Sequence, residues 1–183
     1  MGKIAGVLAA VALTGGLTIS STGTARADVV PPPSWSEIFS PYTNQLACLD
    51  DPNGSATANT AVQMYHCHGY ATNGAPQRWY FAPWGTVAPG DLLTRITSHD
   101  LCLGPNNGQL SAGSRVGLVP CATFGPLWNL LSRNAYSGDP DFQLELGSSG
   151  YCMTLPDWSG GNNEPVILEP CNMGSSLQRW NLG

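Results

Sequence analysis

Between Cys48 and His68 the chain concentrates side chains that can accept, donate or hold protons: Asp50, Asp51, Gln63, Tyr65, His66 and His68. The adjacent carboxylates Asp50 and Asp51 would serve glycoside cleavage only by flanking one bond at about 5–10 Å from each other. Neighbours at a strand end point to opposite sides, and Asp51-Pro52-Asn53-Gly54 reads as a turn. His66 and His68, alternate residues on a strand, would share a face and offer two imidazoles to a metal. Cys67 between them belongs to a disulfide and His99 is the one other histidine, so a third ligand is lacking and no metal is expected. No Gly-x-Ser-x-Gly elbow is present to present a serine nucleophile.

The frame that must position these groups is written in the cysteines. Cys48 and Cys67, Cys102 and Cys121, and Cys152 and Cys171 are each nineteen positions apart, and each pair is trailed by a tryptophan, Trp79, Trp128 or Trp180. An apolar residue follows every first cysteine (Leu49, Leu103, Met153), and a short apolar run precedes every second one, at 61–65, 116–119 and 165–168. The chain is an internal triplication. Six cysteines allow fifteen pairings, and triplication selects the one in which each repeat closes its own pair. A bridge over a loop of that size stabilises by about 3 kcal/mol in the chain-entropy picture.

No window has a helical pattern. Short apolar-rich runs, as at 92–96, 116–119, 142–146 and 166–168, are separated by turn signals such as Asn53-Gly54, Asn73-Gly74, Asn107-Gly108 and Ser137-Gly138. The class is all-β. Modules of this size are too small to bury separate cores, so the three are expected to share one around an axis, in a closed arrangement without exposed sheet edges.

Residues 1–27 read as a secretory signal: Lys3, an apolar stretch over 4–19 broken by Gly15-Gly16, and the small-x-small site Ala25-Arg26-Ala27. Cleavage before Asp28 would leave a Pro-rich tail, residues 28–33 with Pro31-Pro32-Pro33, and one domain, residues 34–183, in an extracellular, disulfide-forming setting. Loss of Lys3 and Arg26 would take the formal net charge from −5 to −7, with all five remaining cations arginines. Nucleic acid and anionic membrane surfaces are poor partners for such a chain, which has no basic stripe. No cofactor is expected, and the oligomeric state is not readable from the sequence.

Cys48-Leu49-Asp50, then Val62-Gln63-Met64-Tyr65 before Cys67, then Gln77-Arg78-Trp79, together resemble the ricin-type β-trefoil lectins, including the carbohydrate-binding modules attached to bacterial xylanases. The resemblance covers nearly the whole chain after residue 33. It implies a twelve-strand trefoil, a six-stranded barrel capped by three hairpins, with the three tryptophans in the core and one shallow sugar pocket possible per repeat. The pocket it implies is kept in repeat one as Asp50, Gln63, Tyr65 and Gln77, with His68 after the second cysteine. Pro76 replaces the family's asparagine there, and Asn73, in a lengthened loop, is the candidate to supply the missing amide. Such a set suits a sugar: the carboxylate accepts from two hydroxyls, the ring lies against the C–H face, and the amide and imidazole groups adapt.

Repeats two and three depart from the pattern. Gly104 and Thr154 stand in place of Asp50, Gly117 and Ile167 in place of Gln63, and Val119 and Glu169 in place of Tyr65. Both are expected to be structural, with Asp157 and Trp158 left open as a different site in repeat three. The expected function is reversible binding of a galactose- or xylan-type carbohydrate in repeat one, without enzymatic chemistry. The other reading is a secreted trefoil scaffold for protein interaction or inhibition that has lost its sugar site. Convergence of Asp50, Tyr65 and Gln77 on one open depression would separate the two.

Overall fold

Period-two alternation shapes the hairpins that cap this fold. In the computed structural model the residues described are 35–43, 46–54, 57–68, 75–88, 91–98, 100–121, 126–132, 141–157 and 159–183. Of Ala75, residues 83–88 and 91–95, and Ser132 only the backbone is considered. Residues 1–34, with the expected leader and tail, and also Asn73 and Trp158, lie outside the described residues.

Fourteen strand segments follow one another: β1 Trp35–Ser36, β2 Ile38–Ser40, β3 Ala47–Asp50, β4 Gln63–His66, β5 Trp79–Ala88, β6 Asp91–Ser98, β7 Leu101–Pro105, β8 Val116–Pro120, β9 Trp128–Ser132, β10 Phe142–Leu146, β11 Tyr151–Thr154, β12 Glu164–Pro165, β13 Ile167–Pro170 and β14 Asn181–Leu182. β1 and β2 are one strand interrupted at Glu37, and β12 and β13 one interrupted at Val166. Counted so, each repeat has four strands, the twelve of a trefoil. Antiparallel pairing runs β2–β14, then through the Trp180–Phe142 bridge to β10, and on through β9, β6 and β5 to β1, which closes a six-stranded ring. The hairpins β3–β4, β7–β8 and β11–β13 cap it.

Across the three caps the inward pairs Leu49 and Met64, Leu103 and Leu118, and Met153 and Leu168 are directly opposed and have no exposed surface. One position along, Asp50 faces Gln63 and Cys48 faces Tyr65 on the other side of the β3–β4 hairpin. Each hairpin is closed by its own disulfide, Cys48–Cys67, Cys102–Cys121 and Cys152–Cys171, as the triplication requires.

The caps are also joined to one another in a ring. Ala61 bridges Gly117, Arg115 bridges Ile167, and Pro165 pairs with Gln63, so the sixth residue before each second cysteine meets the fourth before the next. Two residues earlier, Asn59, Gly113 and Asn163 all adopt positive φ (66°, 78° and 67°) and donate their N–H to Leu118, Leu168 and Met64 of the following repeat. Asn and Gly are the residues that enter that region at least cost. Val62, Val116 and Val166, one from each repeat, are buried between these contacts.

The three tryptophans are fully buried, and each donates its indole N–H to the carbonyl after the first cysteine: Trp79 to Leu49 (2.9 Å), Trp128 to Leu103 (2.8 Å) and Trp180 to Met153 (3.0 Å). A buried Trp needs such an acceptor, and here the same bond fastens each cap to the barrel. Phe81, Phe142, Ile38, Ile96 and Leu144 fill the space between.

Candidate functional site

On the outward face of the β3–β4 hairpin, Asp50, Gln63, Tyr65 and His68 line one pocket of about 410 Å³, with Pro52, Asn53, Pro76 and Asn163 completing it. The strand register brings the first three together: Asp50 is cross-strand to Gln63, and Tyr65 lies two residues further along the same face. Gln63 Nε2 donates to Asp50 Oδ2 at 3.1 Å. Tyr65 and His68 meet edge to face, ring centres 5.5 Å apart at 71°. This fixes an aromatic wall beside the carboxylate.

Asp50 is only 5% exposed. Burial raises its pKa, against the hydrogen bonds of Gln63 and Gln77 and the charge of His68, which favour the carboxylate. Glu37, behind the same hairpin and 8% exposed, is raised for the same reason and opposed by the same histidine.

Gln77 is placed differently from its expected part at the pocket surface. It is fully buried, and its amide is used by backbone: Nε2 donates to the His66 carbonyl (3.0 Å) and Oε1 accepts from the His68 N–H (2.9 Å). Gln178 does the same in repeat three, donating to the Pro170 carbonyl (3.0 Å) and accepting from the Asn172 N–H (2.8 Å). Gln77 is therefore a brace that holds the chain on both sides of Cys67 and touches Asp50 from behind. Asn73 lies outside the described residues.

Asn163 is the pocket residue that the single-repeat pattern does not reveal, because it comes from repeat three through the ring of caps. Its equivalence to Asn59 and Gly113, eight positions before the second cysteine, is the signal that marks it. Pro76 packs at the rim, where its Cγ would lie 3.3 Å from any Cβ placed on Gly54. Asp51 is buried and donates its N–H to Pro76 at 2.8 Å, so it belongs to the turn and not to the pocket. Among the described residues no three His, Cys, Asp or Glu side chains cluster as metal ligands.

The equivalent places in the other repeats are filled. A Cβ on Gly104 would come within 2.5 Å of Pro126, the residue standing where repeat one has Gln77. On Gly117 it would lie 2.6 Å from the Thr60 carbonyl. Repeat two instead carries a larger cleft, about 660 Å³, among Pro105, Leu110, Val119, Pro126 and Leu146. Among the described residues that line it there is no carboxylate and no aromatic ring. In repeat three, the Thr154 hydroxyl donates to the Cys152 carbonyl and accepts from Gln178. Asp157 accepts the Ser159 N–H in a local turn.

The ricin-type β-trefoil lectin domain matches residues 34–180. The chain belongs to this family. Among solved structures, this trefoil is similar to the designed threefold-symmetric protein ThreeFoil, at 19% identity over 81% of this chain and 96% of that one, with a TM-score of 0.67. The Rhizoctonia solani agglutinin is 19% identical over 85% and 98%, TM-score 0.65. The Macrolepiota procera ricin B-like lectin, solved in complex with lactose, is 18% identical over 82% and 94%, TM-score 0.61. At these identities the likeness bears on the fold. No curated protein sequence matches the chain.

Proposed function

We propose that this trefoil is a secreted carbohydrate-binding protein that holds one sugar, non-covalently, in the repeat-one pocket. The observation that carries the reading is the convergence of Asp50, Gln63, Tyr65 and His68 on one open depression in a member of a lectin family. Asp50 accepts two vicinal hydroxyls, Tyr65 covers a C–H face of the ring, and His68 and Asn163 reach hydroxyls at the rim. Gln63 and Gln77 orient the carboxylate. A single carboxylate in the pocket provides no acid–base pair for hydrolysis, so binding is reversible.

Galactose-type sugars and xylan-type chains are the ligands to try first, the lactose complex of the Macrolepiota relative supporting the former. A shallow pocket that desolvates few atoms gives a Kd of about 10 µM to 1 mM. Residues 1–27 act as the export signal, and residues 34–183 form the mature binding domain after a short tail. A second reading, a scaffold for protein contacts, draws on the apolar cleft of repeat two.

The test is a glycan and polysaccharide panel probed with the wild type and with Asp50→Asn. At least one glycan bound by the wild type should be lost in the variant. Equal binding of every glycan by both folded proteins sinks the repeat-one site, and binding of no glycan by either favours the scaffold.

A further inference from the structure

Away from the β3–β4 cap, the barrel wall carries an aromatic row that the trefoil core does not use. Trp35, Tyr80 and Thr97 are successive cross-strand partners on β1, β5 and β6. The positions on either side along the three strands, Ser36, Trp79, Phe81, Ile96 and Ser98, are buried, so alternation turns Trp35, Tyr80 and Thr97 outward. These three and Asp100 line a cleft of about 430 Å³. Trp35 is 44% exposed, the bulkiest exposed apolar side chain among the described residues.

Its ring is nonetheless held. Tyr80 tilts against it, centroids 5.6 Å apart at 53°, and the Arg78 guanidinium lies over it at 5.6 Å. Asp100 sits in the tight turn between β6 and β7 with φ 64°, which places an exposed carboxylate at the cleft edge.

We infer that this cleft is a second saccharide site, separate from the Asp50 pocket and independent of it. A fixed, partly exposed indole offers a platform to the C–H face of a pyranose, and Asp100 and Thr97 offer an acceptor and a hydroxyl to its edge. The other ligand class that aromatic rings beside a carboxylate attract is an organic cation. Arg78 disfavours it here, because its own positive charge already lies over the Trp35 ring. Two sites on one small domain would let a long glycan be held at two points, raising avidity without new contacts in either.

The test starts from Asp50→Asn, in which the first pocket is disabled, assayed on the full chain against immobilised xylan, galactan and lactose. Two further changes are added singly to that background. Trp35→Ala removes the platform, and Asp100→Asn removes the charge while keeping a residue that tolerates positive φ. Residual binding of a polysaccharide by Asp50→Asn, weakened about tenfold or more by each addition, is expected. Trp35→Phe should recover part of it, an effect that a merely structural role for the indole does not explain. Unchanged melting temperatures show that the variants remain folded. Residual binding untouched by Trp35→Ala, no residual binding in Asp50→Asn, or competition by choline but not by soluble oligosaccharide would each overturn the second site. None of these removes the first pocket, whose own failure appears as equal glycan binding by wild type and Asp50→Asn.

Discussion

Asp50 is 5% exposed, and burial raises its pKa although Gln63 and Gln77 hydrogen-bond to it. The folded state therefore holds the Asp50 proton more readily than the unfolded chain does. The resulting cost to stability is present in full above the folded-state pKa and disappears below the unfolded one. Asp50→Asn should accordingly raise Tm at neutral pH while abolishing sugar binding in the repeat-one pocket, and calorimetry across pH should show the gain shrinking as the medium is acidified. Sugar binding by the wild type should fade at a higher pH than an ordinary aspartate's titration would give. The two braces separate function from folding in the same way. Gln77→Ala and Gln178→Ala each leave buried backbone groups unpaired and should cost about 1–3 kcal/mol in denaturant unfolding. Only Gln77→Ala should also weaken binding, since only Gln77 supports a carboxylate. Its role was not legible in residue type alone: a glutamine two residues before a core tryptophan can face a ligand or clamp a strand, and its burial decides.

At the scale of the hairpin, the cysteine and tryptophan registers made the pairing readable before any coordinates. The apolar residues that follow each first cysteine, Leu49, Leu103 and Met153, face the core opposite Met64, Leu118 and Leu168. Asp50, Gln63 and Tyr65 were brought into one pocket by the resemblance to the ricin-type lectins, and the β3–β4 register sets them on one face. Asn163 could not be placed so, because its presence beside Asp50 depends on how one cap closes against the next. Nor does sequence alone explain why repeat two is glycine at both decisive positions. Pro126 and the Thr60 carbonyl occupy the space that side chains at 104 and 117 would need. Gly117→Ala should destabilise the fold by about 1–3 kcal/mol, as overpacking against unyielding backbone does, and leave the repeat-one affinity unchanged. A shift of the urea midpoint smaller than about 0.3 kcal/mol in free energy, within the range of neutral surface changes, would mean that the caps are looser than their contacts indicate.

Over the whole molecule, threefold repetition is kept where it holds the fold together and abandoned where it would bind. Three disulfides, three indole–carbonyl bonds and three cap-to-cap bridges are equivalent. The pocket groups are not: where repeat one has Asp50, Gln63 and Tyr65, repeat two has Gly104, Gly117 and Val119, and repeat three has Thr154, Ile167 and Glu169. This division follows from physics, since closing a barrel requires all three repeats to agree and binding a sugar requires only one. It also explains why the fold was easier to read than the site. The measurement that bears most directly on this asymmetry is amide chemical-shift mapping of the isotopically labelled protein, titrated with the best small sugar from the glycan panel. The account predicts that shifts gather at Asp50, Gln63, Tyr65, His68 and Asn163, with Gly104, Gly117, Thr154 and Ile167 unmoved; perturbations centred on those repeat-two or repeat-three positions would contradict it.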